Sequence, residues 1–329
     1  MTAKREQSLL IIPIGVRWSV KMDIIIDEAL SGLCIRELLQ KRLGYSSNII
    51  KKLKFSEGGI LVNGRFVTVR HVLSEGEVLS LAVEDKPDDV SPYTIPVELP
   101  IAVVFEDEHV TAVNKPADMP AHPSLGHKLD TVSNALAYRY RGENYVFRPV
   151  NRLDRDTSGC MLTANSKVAS YKMYKAMTEG RIRKTYLAVT DGCPGSMSGE
   201  LFSYMKWEEG SIIKRVETTA DDPEGKEALT TYEVMFTNGK NAVIKLSPIT
   251  GRTHQLRVQL AGIGCPITGD DMYGEASEHI GRQALHSWKT EFPHPATDEN
   301  ITVTAPIHED MRKLIGTLFG ENAAFSEIL

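Results

Sequence analysis

The sequence predicts an α+β protein: a large, mixed but mainly antiparallel β-sheet domain with flanking helices, preceded by a small α/β domain. Three observations carry this. Candidate strands rich in Val, Ile, Thr and Tyr recur from residue 101 onward, without the regular strand–helix–strand alternation of a parallel sheet. Ahead of residue 84, two helical patterns precede a hairpin signal. Between the two lies Asp-Lys-Pro-Asp-Asp-Val-Ser-Pro-Tyr-Thr-Ile-Pro-Val-Glu-Leu-Pro at 85–100, whose four prolines and several acids mark an extended segment. The expected boundaries are 1–84 for the small domain, 85–97 for the linker and 98–329 for the large domain.

In chain order, Lys4-Arg5 before Leu9-Leu10-Ile11-Ile12 loosely resembles a signal peptide. Pro13 interrupts the run, Arg17 and Trp18 follow, and no small-residue cleavage site is present, so an opening strand is expected instead. Leu33, Ile35, Leu38, Leu39 and Leu43 recur at near-helical spacing, with Gly44 as C-cap. Ser46 or Ser47 caps a second helix carrying Ile49, Ile50 and Leu53. Asn63-Gly64 between Ile60-Leu61-Val62 and Arg65-Phe66-Val67 supplies the positive φ angles of a type I′ hairpin turn. A further strand is expected at 78–83. In the large domain, strands are expected at 101–105, 110–113, 160–165, 183–190, 229–236 and 242–247. Helices are expected at 131–140, 167–178 and 253–262, the second punctuated by Ser166 and Gly180. Leu256 and Leu260 lie one turn apart and predict a buried face on the last helix.

The apolar and charged fractions, 42% and 25%, are those of a soluble globular chain and exclude a disordered or fibrous one. No run approaches the roughly 20 apolar residues of a membrane span. Cys34, Cys160, Cys193 and Cys265 are scattered, which suits a reducing cytosol and gives neither a zinc site nor a disulfide framework. A net charge of −5 argues against nucleic-acid binding unless basic residues are concentrated locally. They are: Arg36, Lys41, Arg42, Lys51, Lys52, Lys54, Arg65 and Arg70 face only Glu37 and Glu57, a local net of +6. Such a patch is the footprint of a phosphate-backbone binder, though a helix face solvated by lysines is the plainer alternative.

Val150-Asn-Arg-Leu-Asp-Arg-Asp-Thr-Ser-Gly159 is the most informative stretch. Asp154, Asp156, Arg152 and Arg155 crowd ahead of a turn-forming Thr-Ser-Gly and the apolar run Cys160-Met161-Leu162. A polar loop at the edge of a buried strand is where a catalytic carboxylate can be held rigidly. By spacing alone, a solvated charged loop is as good a reading, and the two aspartates are interchangeable.

The helices with basic residues, followed by Gly-Gly-Ile-Leu-Val-Asn-Gly-Arg and Val-Leu-Ser-Glu-Gly-Glu-Val-Leu, resemble the S4 RNA-binding module over about residues 22–83. In the large domain, four segments in order resemble the RluA family of pseudouridine synthases, in the type that acts on the ribosomal large subunit. They are Val113-Asn-Lys-Pro-Ala-Asp-Met-Pro-Ala-His122-Pro, the Asp154 loop, Arg183-Lys-Thr-Tyr186 and Gly251-Arg252-Thr-His-Gln-Leu-Arg257. The resemblance covers roughly 98–316 and implies isomerisation of uridine to pseudouridine in structured RNA, foremost 23S ribosomal RNA. Transfer RNA is the alternative substrate, and an RNA-binding or ribosome-assembly factor without catalysis is the rival of another class.

That reaction breaks N1–C1′, turns the base and forms C5–C1′, consuming no electrons, metal or phosphate. No cofactor is therefore expected, which fits the lack of a Gly-rich phosphate loop in the sequence. It needs a positioned carboxylate, a flat partner for an extruded base and a closed pocket. The resemblance places the carboxylate at Asp154, which would attack C1′, add to C6 or take a proton from C2′. It places the stacking aromatic at Tyr186 and an orienting guanidinium beside Asp154 at Arg252. Asp156 is expected to accept bonds locally, from backbone or from Thr157 and Ser158. Lys115, His122, Arg152, Arg155 and Arg257 are further RNA-contact candidates, and Leu285-His286 resembles a late motif that packs around the site. The family commonly has histidine where this chain has Asn151, a residue that carries no proton at neutral pH and is expected to be structural. A cytoplasmic monomer is expected.

Overall fold

The computed structural model describes residues 21–43, 45, 47–56, 58–82 and 90–320. The expected opening strand, the Gly44 and Ser46 caps, Val83 and the start of the linker lie outside these residues.

Two sheets organise the chain. The first has four strands, β1 (Lys21–Ile25), β2 (Ile60–Val62), β3 (Arg65–Phe66) and β4 (Val78–Ala82), in the order β1-β4-β2-β3. Asn63 and Gly64 take φ of 50° and 76°, so the β2–β3 hairpin turns as its dipeptide predicts. The first helix is shorter than its leucine spacing suggests. α1 (Ile35–Glu37) runs into a π-helical turn at Leu38–Arg42, closed by the bond from Leu43 N–H to the Leu38 carbonyl. α2 (Ser47–Phe55) follows. Ile35, Leu38, Leu39, Ile50, Leu53 and Leu81 bury against one another in a core of their own. Arg36, Lys41, Arg42, Lys51, Lys52, Lys54 and Arg65 are all exposed, with Lys41 paired to Glu37 at 3.2 Å.

The second sheet has ten strands: β5 (Ala102–Glu106), β6 (Val110–Lys115), β7 (Ser158–Ala164), β8 (Arg183–Asp191), β9 (Ser198–Trp207), β10 (Arg215–Thr218), β11 (Lys226–Thr237), β12 (Asn241–Pro248), β13 (Leu285–Pro293) and β14 (Asn300–Thr304). Their order is β10-β9-β11-β12-β8-β13-β7-β6-β5, with β14 on β13. β13 and β7 are parallel and the other pairs antiparallel. The helices are α3 (Val132–Arg139), α4 (Lys167–Thr178), α5 (Gln255–Gly262) and α6 (Glu309–Phe319). Ser166 caps α4 by accepting from Ala169 N–H, and Gly180 turns the chain at φ 69°, as their identities predict. Among the described residues no helix is long and apolar enough to cross a membrane.

β9, β10, β13, β14 and α6 were not foreseen. β9 and β13 alternate weakly because charged and polar residues interrupt them, whereas Met311, Leu314, Ile315 and Leu318 in α6 carry an ordinary helical period.

Ser158-Gly159 is strand rather than turn. The turn sits one step earlier, where Thr157 N–H meets the Asp154 carbonyl at 3.1 Å. Gly159 pairs with Ser287 where β7 runs parallel to β13. Its φ is 111°, and a β-carbon there would lie 2.2 Å from the Ser287 carbonyl oxygen. Gly159→Ala is expected to lose about 3 kcal/mol or more of stability, from backbone strain plus overpacking. An unchanged thermal or denaturant midpoint would refute this.

Candidate active site

The Asp154 loop is gripped from behind by buried side chains. Lys115 on β6 is fully buried, and its Nζ donates to the carbonyls of Arg155 at 2.7 Å, Met119 at 2.8 Å and Pro116 at 2.8 Å. Its three protons thus meet three acceptors, while burial pushes the ammonium down to about 7. The expectation that Lys115 touches RNA is corrected: it has no surface, and it pins the loop. Arg282 Nη1 donates to the Asp156 carbonyl at 3.2 Å, and Gln283 Nε2 to Thr157 Oγ1 at 3.3 Å. Asn151 is buried, and its Oδ1 accepts from Leu162 N–H at 2.8 Å. It ties the loop to β7 without any proton chemistry. His286, also buried, meets Ser158 Oγ at 2.9 Å and packs beneath the loop.

Held in this way, Asp154 opens onto a cleft of about 1000 Å³ walled by the loop, the start of β8, the end of β12 and the first turn of α5. Tyr186, Leu256 and Leu285 supply its apolar floor. Tyr186 is 8% exposed, and burial raises its phenol well above the ordinary value. It therefore stays protonated at neutral pH and lines the cleft, with Ser287 as a partner for its hydroxyl.

The cation that faces Asp154 is Arg257, not Arg252. Arg257 Nη1 stands 3.7 Å from Asp154 Oδ2, and His254 Nε2 stands 3.9 Å away. These are ion-pair distances rather than hydrogen bonds, so the carboxylate keeps lone pairs for a substrate. Among the described residues Arg252 makes no ion pair with Asp154. It lines the cleft, but its Nε donates to the Glu227 carbonyl at 2.9 Å, and its N–H to Gln255 Oε1 at 2.9 Å.

Arg257 is 6% exposed, which also corrects its expected contact with RNA phosphate. Its Nε and Nη2 fork onto Asp270 at 2.6 and 2.7 Å, and Asp270 is fully buried. A two-pronged bond to a buried carboxylate fixes both the plane and the reach of the guanidinium. Its face lies 5.0 Å from the Tyr273 ring. The Tyr273 hydroxyl accepts from Arg215 N–H at 2.8 Å and meets His254 Nδ1 at 2.9 Å. The Tyr273 hydroxyl thus links the Arg215 backbone to the His254 ring, whose Nε2 faces Asp154. His254 sits at φ 58° before α5, and burial holds its pKa below the ordinary histidine value, so the ring is neutral at pH 7.

Asp156 is also corrected. It takes the Arg155 guanidinium, at 3.0 and 2.9 Å, rather than Thr157 or Ser158 hydroxyls. Arg155 is exposed but has Asp156, and Asp118 at 3.6 Å, for partners. Arg152 is exposed and lines the cleft. His122 is exposed, with its ring edge-on to Phe147 at 4.9 Å, away from the cleft wall. Leu256 and Leu260 are buried as expected, but so is the rest of α5 from Gln255 to Leu260. His254, Asp270, Tyr273 and Arg282 were missed. His254 lies inside the Gly251–Arg257 motif, which was the signal that could have found it; Asp270, Tyr273 and Arg282 lie in stretches without such a pattern.

The pattern that defines RNA pseudouridylate synthases matches residues 109–262, which include the loop, Tyr186 and Arg257. The chain is 37% identical over 282 residues to the uncharacterized RNA pseudouridine synthase YjbO of Bacillus subtilis (strain 168), covering 85% of this chain and 96% of that protein. It is 32% identical over 313 residues to ribosomal large subunit pseudouridine synthase D of Zymomonas mobilis, covering 90% and 94%. Among solved structures, human RNA pseudouridylate synthase domain containing 1 superposes with a TM-score of 0.53 at 27% identity, over 63% of this chain and 84% of that one.

Proposed function

Because the chain belongs to the RNA pseudouridylate synthase family, in the RluA-like group its motifs resemble, we propose that it isomerises a uridine of ribosomal RNA through Asp154, without a cofactor. The observation that carries this is Asp154 itself. It is a carboxylate on a rigid loop, 29% exposed into the cleft that Tyr186 lines, with Arg257 and His254 turned toward it.

An extruded uridine would stack on Tyr186, leaving its sugar beside Asp154. The N1–C1′ bond breaks, the uracil turns within the walled cleft, and C5 bonds to C1′. Asp154 acts at C1′, at C6 or on the C2′ proton. Arg257 aligns the carboxylate with a positive charge that Asp270 fixes in place. The C5 proton must leave to restore the aromatic base, and the Tyr186 hydroxyl is the group proposed to help move it.

Ribosomal RNA is favoured over transfer RNA by the ribosomal large-subunit activity for which the relative from Zymomonas mobilis is named and by the exposed cations of residues 36–65, in the part we assign as an S4-like RNA-binding domain. Acting on RNA in the cytoplasm, as a monomer, is part of the same proposal. The test is release of tritium from RNA labelled at uridine C5, with ribosomal and transfer RNA offered separately to the purified protein. Release near one equivalent from ribosomal RNA alone is the expected result. Release from transfer RNA alone would overturn the substrate. No release from either would favour the non-catalytic binding factor.

A further inference from the structure

The cleft wall carries a cation that the chemistry above does not use. Lys184 lies on β8 two residues before Tyr186, so both side chains point to the same side of the sheet. Both line the cleft. The Lys184 ammonium sits over the glycine of the loop that enters α5: a β-carbon on Gly251 would lie 3.8 Å from Nζ. Burial alone depresses this ammonium, and no carboxylate opposes the effect. Among the described residues it has no ion-pair partner. This is unusual for a half-buried lysine, because a desolvated cation without a counter-charge costs stability. Arg183 beside it is exposed and also lines the cleft, with Glu291 as its cross-strand neighbour on β13. Lys184 by contrast faces Thr290 across the same ladder, a residue without charge.

We propose that Lys184 is a phosphate-binding residue that takes the backbone phosphate of the nucleotide extruded onto Tyr186. The inference rests on the RNA-isomerising function stated above and names the part of the substrate that this wall holds. Residues i and i+2 along a strand are roughly 7 Å apart, the scale that separates a base from its own phosphate. An anion at Lys184 therefore sets the stacked base in register with Asp154, which lines the same cleft. It also supplies the missing counter-charge, so the cost of leaving the lysine unpaired is recovered only when RNA is bound. Gly251 brings no side chain against the ammonium, which a β-carbon there would touch at 3.8 Å.

The experiment is a salt titration of RNA affinity for the wild type, Lys184→Met and Lys184→Arg, with single-turnover isomerisation followed on the same RNA. Lys184→Met is expected to weaken binding about tenfold at low salt and to reduce the slope of log affinity against log salt by about 1, one phosphate contact. Its loss should fall on Kd more than on the rate at saturating RNA, and Lys184→Arg should recover most of the affinity and the slope. Unchanged affinity and slope in Lys184→Met would overturn the proposal and leave Lys184 a spacer. So would a rate loss at saturation with normal binding, which would move Lys184 into the chemistry. Wild-type tritium release on the same RNA reads the underlying function separately, so a protein that binds with the expected slope change but never isomerises would sink that function and not this contact.

Discussion

Asp154→Asn is expected to lower single-turnover isomerisation by at least about 10⁴-fold, the scale seen when a unique reacting group is removed. RNA affinity and thermal stability should stay near wild type. The amide keeps the shape of the carboxylate and can still meet His254 and Arg257, but it is neither a nucleophile nor a base at neutral pH. The side chain is partly exposed and stands 3.7 Å from the Arg257 guanidinium and 3.9 Å from the neutral His254 ring, so little of the fold depends on its charge. The neighbouring Asp156→Asn should behave oppositely. It removes the partner of Arg155 at the surface and should leave turnover within a few-fold. Measurable turnover in purified Asp154→Asn protein, free of wild-type contamination, would return the catalytic role to Asp156 or to another group.

The second large effect is expected at the pair behind it. Arg257→Met strands Asp270, a fully buried carboxylate, and should cost about 3–5 kcal/mol of stability, on the order of 10 °C in Tm for a domain of this size. Turnover in the protein that remains folded should fall about 10²–10³-fold, as when one preorganised charge is removed from a site. The double variant Arg257→Met with Asp270→Leu separates the two consequences. It replaces a buried ion pair by apolar side chains and should recover most of the stability, because no charge is left unpaired. It should not recover turnover, because Asp154 then faces the neutral His254 ring and no arginine. Recovery of both would show that Arg257 contributes to the fold alone. Arg252→Met, by comparison, loses one bond to the Glu227 carbonyl and should affect Tm little.

The legible features are those settled within a few residues of chain. Asn63-Gly64 turns a hairpin because the dipeptide tolerates two positive φ angles, whatever surrounds it. Ser166 and Gly180 bound α4 because a hydroxyl and a missing β-carbon satisfy helix ends locally. Cys160-Met161-Leu162 is a buried strand because nothing else can be done with it in water. The motif segments around Asp154 and Tyr186 pointed to one cleft, and both residues line it. β9 and β13 escaped notice because their burial comes from partners in other strands, and the contact of Arg282 with the Asp156 carbonyl spans 126 residues of chain.

Composition, local patterning and motif order were enough to place an α+β chain in an RNA-isomerising family and to raise the expectation that Asp154 rather than Asp156 is the reacting carboxylate. They were not enough to choose between two arginines. Arg252 and Arg257 stand five residues apart at the start of one helix, and either is chemically able to face a carboxylate. Which one does so depends on how α5 is rotated against the sheet, on Asp270 waiting behind it, and on a loop about a hundred residues earlier in the chain. Lys115 makes the same point. Its charge suggests a surface contact, yet three carbonyl oxygens brought together by the fold let it be buried whole. A side chain's chemistry is written in its identity, but its partner is set by which distant groups the packed sheet carries within reach of it.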